Sequence, residues 1–458
     1  MPETDPHPLG HFDIAIVGGG MVGAALACAC AERGLSLALI DGQPPQRTWP
    51  AGQVDLRVSA LSRASQRVLE RIGAWPRMVE LGVSPYREMR VWDAVGSAEI
   101  HFDSADLGEP DLGHIVENRV TRLALWERLE ALSDSVSGRA ASDQAGSGRS
   151  ASDQSVPDQA VPDQAVPDQA VPDQAASGRA ARIERLSPAA LSALEIDDQR
   201  ARLRLADQRQ LAADLVVGAD GRASFVRETL GIGLDAADYA QRAIVANVEV
   251  AHWHRETAWQ RFLPSGPLAF LPLADGRCSI VWSADEARAE QLLALDDAGF
   301  IAELEIAFDK RLGPILSAGP RAAFPLSRQH ARAYVRPHVA LVGDAAHGIH
   351  PLAGQGVNLG FLDVAALIDA IDHARAKGRA LGSLHILRRY ERARRGDNAA
   401  MVTAMDLFKR AFGNRNPALV GARTLGLAAA EHLPGIKPLF IRQALGLGQD
   451  LPRLARVG

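Results

Sequence analysis

The stretch that most constrains this chain is Gly18-Gly19-Gly20-Met21-Val22-Gly23. It follows a short apolar run, residues 12–17, and opens a segment rich in small residues (Ala24, Ala25, Ala27, Ala29) that reads as a helix over residues 21–33, stopped by Gly34. A second apolar run, residues 35–40, ends in Asp41, 23 positions beyond Gly18. Strand, glycine turn, helix and strand within about 30 residues, with a carboxylate near the ~20-residue offset, make a dinucleotide-binding unit. Gly18 permits the turn, Gly20 lets backbone approach a pyrophosphate, and Gly23 lets the helix sit close to the sheet. The helix N-terminus, with unpaired N–H groups and roughly half a positive charge, faces the phosphates, and Asp41 accepts hydrogen bonds from ribose hydroxyls.

Two further segments end apolar strands in the same way. Residues 202–205 alternate, Asp207-Gln208 can turn, and residues 211–217 return as a buried strand ending in Gly218-Ala219-Asp220-Gly221. Gly221 admits close backbone contact and Asp220 accepts hydrogen bonds, which suits ribose or pyrophosphate oxygens; an ordinary turn reads the same way. The apolar run 339–342 then leads into Gly343-Asp344-Ala345-Ala346-His347, followed by Pro351 and Gly354-Gln355-Gly356-Val357-Asn358 before a predicted helix over residues 357–376. The start of that helix suits the negative charge that a reduced flavin carries at N1 and its C2 carbonyl, worth about 0.3–2 kcal/mol. Asp344 suits a ribityl chain. His347 and His350 are positional, or assist substrate ionisation.

With 458 residues and 47% apolar content, the chain is long enough for two domains. A net charge of −5 gives no basic footprint for nucleic acid, and the 13 histidines show no metal-ligand spacing. Cys28, Cys30 and Cys278 form no Cys-x-x-Cys pair, which suits a reducing, cytoplasmic compartment. No export signal or membrane-length apolar run is expected. Residues 133–181 collapse into Ser, Gly, Ala, Asp, Gln and Arg, with Val-Pro-Asp-Gln-Ala repeated four times over residues 156–175. Such a segment cannot bury a core and is expected to be a disordered surface insertion.

Together these segments resemble the class A flavoprotein aromatic hydroxylases, and within them the ubiquinone-biosynthesis hydroxylases. The family signature Gly-Asp-Ala-Ala-His-x-Ile-His-Pro-Leu-Ala-Gly-Gln-Gly-x-Asn-Leu-Gly is matched from Gly343 to Gly360. Asp55-Leu56-Arg57-Val58-Ser59-Ala60, Gly113-His114-Ile115-Val116-Glu117-Asn118, Gly266-Pro267-Leu268-Ala269-Phe270-Leu271-Pro272-Leu273 and Tyr390-Glu391-Arg392 with Asp397-Asn398 resemble further family segments. Asp41 stands where many members carry Glu, and the pentad repeat is this chain's own.

The resemblance implies an α/β chain with a Rossmann-like FAD-binding domain of the para-hydroxybenzoate hydroxylase type, assembled from residues 1–76, 118–231 and 337–412. A β-sheet substrate domain (77–117 and 232–336) and a helical C-terminal tail (413–458) complete it. In the substrate domain, residues 259–263, 268–273 and 278–282 read as a three-stranded meander, with Trp92, Phe262 and Phe270 either lining a cavity or plain core. It implies FAD bound by Gly18, Gly20, Gly23, Asp41, Arg57, Arg122, Asp220, Gly221, Asp344, Gly354, Gln355, Gly356, Val357 and Asn358. His347, His350 and Pro351 are the catalytic-loop candidates. NAD(P)H is implied as a transient co-substrate, since only one dinucleotide turn is present. The implied reaction passes oxygen from O₂, through a flavin C4a-hydroperoxide, to the ring of a polyprenyl phenol or benzoquinol. Another flavin oxidoreductase, a polyketide-type hydroxylase or polyprenyl reductase, is the alternative. The segments Pro85-Tyr86-Arg87 and Trp259-Gln260-Arg261-Phe262 lean towards a benzoquinol hydroxylase, and His350 with Leu433-Pro434-Gly435 towards a polyprenylphenol hydroxylase. From Leu407 to Gly458, eight Lys or Arg stand against two Asp or Glu among apolar residues. That pattern suits either peripheral contact with an anionic inner membrane or a cap on the FAD domain. Association with other ubiquinone-biosynthesis enzymes is also implied.

Overall fold

The computed structural model describes residues 8–96, 99–146, 181–348, 356–413, 421 and 450–457. The opening unit forms as expected: β1 (Pro8–Val17), α1 (Met21–Ala31) and β2 (Leu37–Ile40), with β1 and β2 parallel. Every residue of α1 from Gly23 to Ala31 is buried. Small side chains let this helix lie between the sheet and two other helices, Asn118–Gly146 and Gly356–Ala376.

An eight-stranded sheet carries the unit, and its central order decides where the glycine segments meet. Strand Val339–Leu341 lies beside Gln210–Gly218, which lies beside β1, then β2, all parallel. Val17 is in register with both Gly218 and Ile40, and Gly218 with Leu341. The three glycine segments, which begin at Gly18, Gly218 and Gly343, therefore leave neighbouring strands at one level, outside the carboxyl ends of the parallel strands where α/β sheets place ligands.

A nine-stranded sheet stands against this one. Its meander, Thr257–Leu263, Gly266–Pro272 and Cys278–Asp285, extends through Leu234–Val250 and Ala322–Ala331 on one side, and Glu88–Asp93 and Glu99–Asp103 on the other. Helices Glu286–Ala294 and Asp297–Phe308 cover one face. Trp92 and Phe270 lie under them, with Phe270 stacked 3.6 Å from Phe308 and Trp92 at 5.5 Å. Both are plain core. Phe262 packs with Val91 and Ile100 instead. The other face presents Ala269 and Leu271 to Ala60, Tyr86 and Ile115. Segment 77–117 is divided: 113–117 pairs with 58–61 on one side and 84–86 on the other in a separate three-stranded sheet.

The insertion departs from expectation at its start. Helix Asn118–Gly146 runs 14 residues into the stretch read as disordered from residue 133. Residues 133–146 contain no proline and several alanines, so a helix already nucleated upstream propagates through them. The pentad repeats lie outside the described residues. So does most of the tail, but Ala455 near its end is buried among Ala64, Val68, Leu362 and Ala365, and Arg453 N–H donates to Asp369 at 3.0 Å. That end caps the first domain. No helix among the described residues is long and apolar enough to cross a membrane.

Candidate functional site

The turn 18–20 is locked from behind and open in front. Gly18 has φ +104°, a conformation that favours glycine, and a β-carbon there would meet Ala219 O at 2.3 Å. The two ends of Gly19 are held separately: its N–H donates to Asp41 Oδ2 (2.5 Å), and its carbonyl accepts from Trp126 Nε1 (2.8 Å) and Arg122 Nε (3.0 Å). Arg122 closes the clamp on Asp41 Oδ1 at 2.9 Å and on the carbonyl of Gln43. Gly20, by contrast, has no atom of the described residues within 4 Å of where a β-carbon would stand.

The start of α1 is left for an anion. Helices Arg63–Arg71 and Phe225–Thr229 are capped by the side chains of Ser62 and Ser224. Gly20 offers α1 no side chain to cap it, and no acidic residue stands in its first turn. An uncapped, positively polarised helix end beside open space is the environment a pyrophosphate needs.

Asp220 supplies the second fit to a nucleotide. Its Oδ2 accepts from Val226 N–H at 3.1 Å, while Oδ1 is buried with no partner among the described residues, and burial pushes the carboxyl above its usual range. A buried acceptor without a donor costs about 1–3 kcal/mol, which a ligand hydroxyl would relieve. Gly221 follows at φ +79°, with open space at its β-position among the described residues.

The third segment joins the two sheets. Strand Val339–Leu341 belongs to the first, and His347–Gly348 pairs antiparallel with Gln329–His330 of the second. Arg227, 2% exposed, ties the second segment to the third by donating to the carbonyls of Arg222 (2.8 Å) and Ala345 (3.1 Å). Gln329 Nε2 adds a bond to Asp344 O at 2.8 Å, leaving the Asp344 side chain exposed. Arg57, also exposed, stands with its guanidinium 5.7 Å from the Phe324 ring, across the seam between the sheets.

Two expected site residues are turned inward. Asn358 accepts from Ser62 N–H (2.9 Å) and Ser65 Oγ (2.7 Å) and donates to Ala60 O (2.8 Å). Its amide anchors the helix start to the neighbouring helix and strand. His347 is 2% exposed, with Nε2 at 2.5 Å from Asp363 Oδ2. That nitrogen is directed at the Asp363 carboxylate within the interior. Gly356 and Val357 form the first turn of the helix Gly356–Ala376, which begins one residue before the expected start at 357. His350, Pro351, Gly354 and Gln355 lie outside the described residues.

The sequence assigned no site role to Trp126, Asp363, Arg394 or Asn398, although Asn398 stands in one of the family-like segments. Trp126 had a signal, being four residues beyond Arg122 and so on the same helix face. Asp363 had one too, as the carboxylate within the apolar run 359–368. Strand pairing also brings Glu88, His101 and Asp103 together, which no spacing along the chain suggested; a cation, Arg90, already stands 3.6 Å from Glu88.

The family of FAD-binding domains matches residues 11–405. The 3-demethoxyubiquinol 3-hydroxylase of Escherichia coli is 39% identical over 95% of this chain and 98% of its own length. The ubiquinone hydroxylase UbiL of Rhodospirillum rubrum is 38% identical over 97% and 92%. The human mitochondrial ubiquinone biosynthesis monooxygenase COQ6 is 32% identical over 93% and 91%. Among solved structures, the p-nitrophenol 4-monooxygenase PnpA of Pseudomonas putida shares the fold, with TM-score 0.69 at 17% identity over 95% of this chain and 98% of that one. PqsL of Pseudomonas aeruginosa, solved with 2-aminobenzoylacetate, gives 0.65 at 22% identity over 91% and 99%.

Proposed function

The chain belongs to the FAD-binding domain family, and from that premise we propose that it is an FAD-dependent monooxygenase that hydroxylates the aromatic ring of a quinol-type intermediate in ubiquinone biosynthesis, with NAD(P)H and O₂ as co-substrates. The observation that carries the reading is the register Leu341–Gly218–Val17, which brings three distant glycine segments to one edge. Bound FAD takes reducing equivalents from NAD(P)H and activates O₂ for transfer to the ring.

The chain's own residues bind, orient and enclose. Gly20 and the first N–H groups of α1 face the pyrophosphate, Asp41 accepts from the adenosine ribose, and Asp220 Oδ1 and Asp344 take hydroxyls of the linking chain. Arg57 supplies positive charge at the seam, and Arg122 holds Asp41 and Gly19 in place. Gly356 and Val357 offer backbone N–H groups at a helix start, where developing negative charge is stabilised. Ala269 and Leu271 belong to the apolar sheet face turned towards the first domain, which keeps water from the reacting ring. Residues 1–76, 118–231 and 337–412 make up the cofactor domain on this account, with 77–117 and 232–336 serving the substrate. A polyprenyl substituent and peripheral contact of the basic tail with an anionic inner membrane fit the composition of residues 413–458.

Disrupting the gene and identifying the accumulated precursor tests the function. A quinone precursor lacking one ring hydroxyl is expected, and its structure names the carbon oxidised. Undiminished ubiquinone with no such precursor would contradict the proposal.

A further inference from the structure

Asp363 is fully buried in the helix Gly356–Ala376 and gathers four donors. Two come from the third glycine segment: Gly343 N–H at 3.0 Å and His347 Nε2 at 2.5 Å. The other two come from the helix Leu384–Gly413: Arg394 Nε at 3.0 Å and Asn398 Nδ2 at 3.1 Å. Arg394 is itself 3% exposed, and its Nη2 donates to Asn398 Oδ1 at 2.7 Å. Tyr390, on the same helix, donates to the carbonyl of Leu341 at 2.6 Å, on the strand that feeds the segment. Burial alone would raise the carboxyl's pKa; His347 and then Arg394 hold it below its usual range. A carboxylate kept ionised in the interior and satisfied by donors from two elements ties those elements together, and losing any one partner leaves a buried polar group uncompensated.

Resting on the flavin reading of the site, we propose that Asp363 is a positioning residue for the bound flavin, and that Arg394 and Asn398 act through it from a helix that carries none of the three glycine segments. The node sets the path of Gly343–His347 and places a buried charge pair directly behind the segment. Removing either charge therefore changes both the fit of the segment and the field at the flavin, and the sign of the field change depends on which charge is lost.

The test uses the full chain, unsubstituted and as Asp363→Asn, Arg394→Met, Arg394→Lys and Asn398→Ala, with thermal unfolding as the control for fold. FAD dissociation constants are read by titrating apoprotein, and midpoint potentials by reductive titration of the holoprotein. Asp363→Asn is expected to weaken FAD binding by about tenfold or more and raise the potential, because a negative charge is gone. Arg394→Met is expected to lower the potential, and Arg394→Lys to return it towards that of the unsubstituted chain. A folded Asp363→Asn variant with unchanged affinity and potential would overturn the inference, as would shifts of the same sign in Asp363→Asn and Arg394→Met. If Asp363→Asn does not fold, Asn398→Ala decides: about threefold weaker FAD binding supports the inference and unchanged binding overturns it. Failure of the unsubstituted chain to bind FAD would overturn the flavin reading, and this inference with it; normal binding there with unaltered variants overturns the inference alone.

Discussion

A β-carbon on Gly23 would stand 1.8 Å from the carbonyl oxygen of Gly18. The helix can follow the turn this closely only because residue 23 has no side chain. Gly20, three positions earlier, has φ −68° and ψ −173°, an extended backbone open to any residue, and faces open space. The two glycines therefore predict opposite outcomes. Gly23→Ala is expected to lose about 1–3 kcal/mol or more of stability, read as a lower Tm. Gly20→Ala is expected to leave Tm within about 2 °C while weakening FAD binding about tenfold, read by calorimetry and flavin titration.

Asp220 predicts a separation of stability from affinity. Its folded carboxyl titrates above the ordinary value of 3.8, so the folded chain holds the proton more tightly than the unfolded one, and apoprotein stability falls as pH rises through that window. Asp220→Asn removes this loss, so the apoprotein at neutral pH should be at least as stable as the unsubstituted chain. Its FAD affinity should drop about tenfold, because an amide N–H₂ replaces an acceptor. A parallel loss of stability and affinity would contradict the assignment.

The clamp on Gly19 predicts an effect transmitted through the glycine turn. Arg122→Met leaves Asp41 and Trp126 in place but removes the guanidinium from Gly19 O, Asp41 and Gln43 O. FAD binding should weaken several-fold through a slower association or faster release, measured by stopped-flow fluorescence, with little change in Tm.

His114 predicts an acid-side loss of stability. Burial first, and the Arg63 guanidinium second, push its pKa down from 6.5 to about 4; Asp111 Oδ1, at 3.7 Å from Nδ1, is too distant to hydrogen-bond. Between these two values the unfolded chain carries a proton that the folded chain does not. Stability contributed above pH 6.5 is therefore lost as pH falls towards 4, by an amount on the order of 3 kcal/mol. His114→Gln should flatten that part of the Tm-against-pH curve, and an unchanged slope would show that other groups control it.

Legibility in the sequence followed the range of the interaction. The unit 12–41 was readable because strand, turn and helix are set by neighbours a few residues apart, and Gly18 and Gly23 declare their roles by spacing. The Val339–Leu341 strand and its glycine exit were readable for the same reason. The packing role of the Asn358 amide was not legible because its partners, Ser62, Ser65 and Ala60, lie almost 300 residues away. From its loop alone His347 reads as positional or as assisting substrate ionisation, and no local pattern names its partner Asp363, on the next helix. The helix through residues 133–146 shows that low complexity without proline does not stop a helix already begun upstream.

The oxygen isotope in the product decides whether this chain is a flavin-dependent monooxygenase. The FAD-loaded chain, supplied with NAD(P)H, a demethoxyubiquinol-type substrate and ¹⁸O₂, is predicted to yield a ring-hydroxylated product carrying a single ¹⁸O atom, seen by mass spectrometry and absent without FAD. A product whose new oxygen comes from water, or no hydroxylation by chain that holds FAD and receives this substrate, would contradict it.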